Sequence, residues 1–473
     1  MKMKINRIAQ ILFIGAAVFT VSTMQAQETQ TDSVSGYSLE EIQEYALEHN
    51  YEARNTQLDI EIARKQKWET TAIGLPNVSA SGEYQNFPDI PTQLFPDFIS
   101  PSVVGINQQV FGLTPVAPLP EGEKMPVQFG SKHNTTYGLS VSQLVFSGEY
   151  IVGLKASKIY LELSKTAHKR KKEEVKETVS KTYYLILITE ETIHALDSVY
   201  KGLLKLQNET EQLAKAGFID DTDARQVELN VKTTENNLSS VKQQRDILYR
   251  LLKFQAGIDY NAEIRLESGL EEILAEIESG ALLQESYDIY ADTDFKLMQV
   301  QETLTDLQLQ REKATVLPKL SAFFSYSENN MAEELDLFSE DAEWYPTTVW
   351  GFNLSVPIFS SGSRWARIKQ KEIKLEQTSN QKEMRKQSLM LDYEQTRSNY
   401  LSAYNNFRNA ESSKALSERI YENSLIKYKE GTISGLELTQ AQNQYFMAIG
   451  DYYKNLSDLT EIHIKLKRIL KQL

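Results

Sequence analysis

The side chains able to attack, ligate or relay protons are scattered along this chain. His49, His133, His168, His194 and His463 share no metal-ligand spacing, and cysteine is absent. No Gly-rich phosphate loop or nucleophile elbow is present. Asp220 and Asp221 form an acid pair, but they follow Gly217 and open a polar helical run, which is turn and helix-start chemistry. Glu328, Glu333, Glu334, Asp336, Glu340, Asp341 and Glu343 lie in one stretch without Lys or Arg. Such a stretch repels or concentrates charged solutes, or simply keeps a loop soluble; it does not make bonds. No enzyme activity, cofactor or metal is expected.

Composition narrows the class further. The 473 residues carry a net charge of −14, 41% hydrophobic residues and a mean hydropathy of −0.43. That is polar for large compact cores and suits an elongated helical body. The acidic balance argues against a nucleic-acid partner, because counterion release needs clustered Lys and Arg. The basic run 169–172 is followed at once by Glu173 and Glu174, the pattern of a solvated helix face. Lys2, Lys4 and Arg7 precede an apolar stretch at 11–21 that is short for a span, so residues 1–26 are expected to be a secretory signal. Without cysteine there is neither a disulfide framework nor an acceptor for an N-terminal lipid, and membrane attachment must come from the fold.

The chain states one pattern twice. Leu75-Pro76, Tyr137-Gly138, Val145-Phe146-Ser147-Gly148 and the turn Lys215-Ala216-Gly217-Phe218-Ile219-Asp220 recur as Leu317-Pro318, Trp350-Gly351, Ile358-Phe359-Ser360-Ser361-Gly362 and Lys429-Glu430-Gly431-Thr432-Ile433-Ser434. The repeats divide the chain into 27–257 and 287–473, with an interrupted equatorial segment at 258–286.

Each repeat holds two segments of period two, near 77–84 and 136–146 in the first and 320–327 and 349–359 in the second. Their lengths of about 8 to 11 residues match tilted membrane strands. Aromatic residues crowd the strand ends, among them Tyr84, Phe146, Phe324, Trp344 and Trp365, as in an interfacial girdle. Taken singly, each pair also reads as a surface hairpin. Four strands cannot close a barrel, and open edges cannot survive in hydrocarbon. Small barrels need about eight strands, so two copies barely close, and three give about twelve with a usable lumen. A homotrimer set in outer lipid is the favoured arrangement. The loop at 85–135 holds eight of the chain's 12 prolines and reads as an ordered cap.

The other strand ends feed very long helices. Residues 150–216 descend, and at 1.5 Å per residue they reach roughly 100 Å. The chain turns at Gly217, ascends to Gly257, breaks, and climbs again over 287–316. Residues 364–430 and 435–470 repeat the excursion around Gly431, and a helix at 39–73 completes the set. Helices this long without a continuous apolar face need lateral neighbours.

With these landmarks in place, the chain resembles the outer-membrane efflux protein family, the TolC-type exit ducts. The resemblance rests on the two Leu-Pro junctions, the paired strands and the tip motifs, above all the run from Tyr428-Lys429-Glu430-Gly431 through Gly435-Leu436-Glu437-Leu438-Thr439-Gln440. It implies a trimer with a twelve-stranded outer-membrane β-barrel and a periplasmic α-barrel of helical hairpins. It also implies a periplasmic adaptor docking at the tip turns Gly217 and Gly431, and an inner-membrane pump of the resistance-nodulation-division or ABC type. By this resemblance Tyr428 meets Asp223, with Thr222 beside it, to shut the tip, while Ile433 replaces the family's arginine and leaves fewer charge-assisted bonds. Glu437 and Gln440 take the positions of two constricting carboxylate rings. Three Glu437 side chains about 6 Å apart at an effective dielectric near 20 repel by roughly 3 kcal/mol per pair, so the ring should hold protons or attract cations. The competing class is a pore-free coiled-coil adaptor or scaffold of the envelope; an exported hydrolase is weaker.

Overall fold

The computed structural model describes residues 35–96, 110, 124–267, 269–335 and 342–473. The expected leader, most of the proline-rich cap and the middle of the acidic loop lie outside them. In chain order the elements are β1 (Ser35–Tyr37), α1 (Leu39–His49), α2 (Tyr51–Ala72), β2 (Asn77–Asn86), β3 (Thr92–Pro96), β4 (Lys124–Gln128), β5 (His133–Ser147), α3 (Gly148–Lys215), α4 (Asp221–Ala256), β6 (Ile264–Leu266), α5 (Glu271–Ser279), α6 (Ala281–Gln284), α7 (Thr293–Ala314), β7 (Lys319–Ala332), β8 (Tyr345–Ser355), α8 (Ser363–Lys429) and α9 (Gly435–Ile469). They form a sheet unit and a helical unit.

The sheet unit is built on four antiparallel strands in the order β2-β5-β7-β8. Its register sorts the side chains. Val78 pairs with Val141, Ala80 with Leu139, Phe324 with Trp350 and Leu320 with Leu354, and by the period-two rule these all share one face. Ser79 pairs with Ser140, Thr136 with Asn329 and Ser321 with Asn353 on the other. Hydrogen bonds knit the polar face: Ser79 Oγ lies 2.7 Å from Ser140 Oγ, and Thr136 Oγ1 donates to Asn329 Oδ1 at 2.8 Å. The apolar face is uncovered, with Val78 66%, Trp350 72% and Phe352 65% exposed.

Aromatics gather where the strands approach the loops. Tyr137 and Tyr326 donate to opposite oxygens of Glu328 at 2.6 and 2.7 Å, and Trp344 packs edge-on against Tyr137. Close backbone approach needs Gly138, since a Cβ there would sit 2.5 Å from the Tyr326 carbonyl oxygen. At the other end Tyr150 donates to the Thr71 carbonyl at 3.0 Å, beside Gly74. The strand expected near 349–359 instead runs Tyr345–Ser355. Pro357 has no amide to donate to a ladder, so 356–359 fall outside it. A small β3-β4 ribbon and a parallel β1-β6 pair were not anticipated.

In the helical unit both hairpins turn by the same device. Gly217 (φ +76°) and Gly431 (φ +72°) adopt the left-handed conformation that ends a helix. Phe218 N–H reaches Leu213 O and Thr432 N–H reaches Lys427 O, each at 2.9 Å. The returning helices are then capped by Asp220, which accepts from Thr222 N–H, and by Ser434, which accepts from Glu437 N–H. The N-terminal helix, expected as one piece over 39–73, breaks at Asn50. Its amide oxygen caps the second piece through Ala53 N–H, while its Nδ2 donates to Gln255 O at 2.7 Å.

Around the interrupted segment, Ile42, Ala46, Tyr183, Ile186, Leu252, Ile273 and Ile277 join Leu456 and Ile464 in the largest apolar cluster. His463 sits in that cluster, fully buried, with Glu276 at 3.6 Å and the Tyr400 ring 5.8 Å away. Among the described residues neither ring nitrogen finds a hydrogen-bond partner. Burial pulls its pKa down to about 4, although Glu276 opposes the shift. An unfolded histidine protonates near 6.5, so the stability that neutral His463 contributes is complete above that pH and is lost as pH falls toward 4. Melting temperature should therefore drop through this window, with a slope of up to about 1.4 kcal/mol per pH unit, and His463→Phe should flatten it. Equal slopes in both proteins would remove His463 from the account.

Candidate functional site

The residues singled out in the sequence converge at the two tips of the helical unit. Behind them Leu203, Leu206, Val227, Val231, Tyr421, Leu438 and Ile449 pack as one apolar cluster drawn from α3, α4, α8 and α9. That cluster holds the two hairpins of a single chain together, and polar contacts fix their register. Asp223 Oδ1 accepts from Gly435 N–H at 3.1 Å, so an acid of the first hairpin caps the helix of the second. A Cβ on residue 435 would stand 2.7 Å from that oxygen and push the Asp223 carboxylate off the cap. Deeper in, Asn230 Nδ2 donates to Thr439 Oγ1 at 2.9 Å, and both residues are buried. Lys429 and Glu209 pair at 2.8 Å near solvent, where such a bridge contributes little.

Tyr428 and Asp223 line one cleft of about 570 Å³ together with Leu206, Phe218, Ile219 and Ile433. No hydrogen bond joins the two within the chain, and the buried Tyr428 hydroxyl is without a partner among the described residues. Burial, and secondarily the Asp223 carboxylate, pushes the Tyr428 phenol up. Ile433, at the position where the resemblance implies arginine, packs against the apolar cluster instead. Thr222 is exposed and engages the cap through its backbone. Glu437 and Gln440 are exposed on α9, on the side away from buried Leu438, Thr439 and Gln442.

Asp223–Gly435 and Asn230–Thr439 were not foreseen. A signal for the second exists: Asn230 falls among Val227, Val231 and Thr234 on the apolar stripe of α4, where an amide needs a partner. Among the described residues no group of three His, Asp or Glu is placed to hold a metal, and no helix is long and apolar enough to cross a membrane.

Residues 292–470, which span α7, the second strand pair and the second hairpin, match the model of the outer membrane efflux protein family. Over that span, somewhat more than a third of the chain, the sequence is similar to the outer membrane efflux protein family. A search of curated proteins returns no match. Among solved structures, the chain is similar to the Campylobacter jejuni CmeC outer membrane channel, with 15% identity and a TM-score of 0.66 over 96% of this chain and 94% of that one. It is similar to a membrane protein from Pseudomonas aeruginosa at 16% identity and a TM-score of 0.69, over 95% and 99%. The open state of the Neisseria gonorrhoeae MtrE outer membrane channel gives 16% and 0.63, over 91% and 88%. At these identities the likeness establishes a common fold, one that extends over nearly the whole chain. The match to the outer membrane efflux protein model supports a location in the outer membrane.

Proposed function

We propose that the protein is the exit duct of a tripartite efflux or secretion system, passively conducting small molecules from an inner-membrane pump and a periplasmic adaptor to the outside. The observation that carries this reading is the sheet: one face apolar and uncovered, the other mainly polar apart from Phe323 and Val349, and both edge strands, β2 and β8, paired on one side only. Water does not suit such an apolar face, and hydrocarbon does not tolerate free edges. Three copies that pair β2 with β8 resolve both problems, with lipid against the apolar face and solute against the polar one. The hairpins then extend into the periplasm as an α-barrel, and the turns at Gly217 and Gly431 meet the adaptor.

The chain lacks cysteine, so edge pairing can be tested cleanly. With Ser79→Cys and Asn353→Cys in one chain, a short thiol crosslinker applied to outer membranes should link chains into species of up to three. Monomers alone, from protein shown to be folded, would contradict pooled sheets. At the tip, Glu437→Gln should lower the cation-over-anion preference of the conductance, and an unaltered preference would remove Glu437 from the constriction. A pore-free scaffold accounts for the hairpins but not for a sheet with two such different faces.

A further inference from the structure

We infer that Glu83 is a charge filter on the polar face of the sheet, favouring cationic and neutral solutes over anionic ones; this rests on the reading of the sheet as the wall of a conducting barrel. The register places Asn77, Ser79, Ser81, Glu83 and Gln85 of β2 on the face shared with Ser140, Ser142, Asn329 and Asn353. Among the described strand residues on that face, only Glu83 and Lys319 carry charge. They stand at opposite ends, since Glu83 aligns with Thr136 and Asn329 beside the loops, and Lys319 with Ser147 and Ser355 at the helix side.

Glu83 is exposed and makes no ion pair among the described residues; Gln85 Nε2 donates to it at 2.6 Å. Among the described residues its aligned neighbours are therefore hydroxyls and amides that neither neutralise nor repeat its charge. With Lys319 at the far end of the strands, a carboxylate without an ion pair sets the sign of the potential at its own end of the face over about one Debye length, roughly 8 Å at physiological ionic strength. In a ring of copies the effect adds, because each copy presents the same carboxylate at the same height of the strand ladder. A carboxylate retained only to keep an edge strand soluble would give no such ion preference.

Permeability ratios for potassium over chloride, measured from reversal potentials of the whole protein in planar bilayers, test this. They should be taken in both the wild-type and Glu437→Gln backgrounds so that the tip does not mask the sheet. Glu83→Gln should lower the ratio by about two-fold or more at 0.1 M salt and hardly at all at 1 M, where the Debye length shrinks to about 3 Å. Glu83→Lys should lower it further, toward anion preference. Ratios equal to wild type in both variants, with normal conductance, would overturn the role of Glu83 and leave the duct intact. Folded protein that conducts nothing would overturn the duct reading and this inference with it.

Discussion

Asp223→Ala is expected to raise the resting conductance of the protein more than any other single change at the tips. Asp223 accepts the Gly435 N–H and so ties the first hairpin to the start of the second within one chain. A hydrogen bond to a charged group contributes about 1.5–3 kcal/mol, and removing the acceptor also leaves a helix N-terminus unsatisfied. If opening breaks this contact, each such loss multiplies the open-to-closed ratio by roughly ten or more, and the proposed trimer would suffer it three times. Asp223→Asn retains an acceptor oxygen and should leak less than the alanine variant. Tyr428→Phe should raise leak by a smaller factor, because among the described residues the hydroxyl has no partner to lose. Single-channel records that show the same resting conductance for Asp223→Ala and wild type would remove this contact from the gate.

The second large effect belongs to the sheet. Phe352 is 65% exposed on the apolar face and aligns with Ala322, whereas its neighbour Asn353 aligns with Ser321 on the polar face. Phe352→Lys should destabilise the inserted protein by about 2–4 kcal/mol if that face meets lipid near mid-depth. Asn353→Lys should insert normally and change ion preference instead. The comparison reads the yield of folded protein in outer membranes. Equal loss for both, or for neither, would mean that the two faces do not separate lipid from water.

Much of this architecture was legible because it rests on local rules. Alternation in β2, β5, β7 and β8 named the faces before any register was known, and Gly217 and Gly431 marked turns that demand positive φ. Boundaries depended on less local matters: Pro357 ends β8 early, and Asn50 breaks a helix because Gln255 offers it a carbonyl far away in sequence. The β1-β6 pair joins strands of three residues each, too short to show a period. At the tips the resemblance pointed to Asp223, Tyr428, Glu437 and Gln440 and paired Tyr428 with Asp223, whereas within the chain Asp223 accepts from Gly435 N–H. Which oxygen Asp223 offers, and to whom, depends on how two hairpins more than 200 residues apart in sequence pack on a shared apolar cluster. The substitution of Ile433 shows the same limit: loss of an arginine was visible, while the gain of apolar packing needed the fold.

The measurement that bears most directly on the account is the conductance of purified, folded protein in planar lipid bilayers. The duct reading predicts discrete channels of small resting conductance that prefer cations and that enlarge when Asp223 is replaced by alanine. Bilayers that receive the folded protein and stay as resistive as lipid alone, with wild type and with Asp223→Ala, would contradict it and leave a pore-free envelope scaffold as the better description.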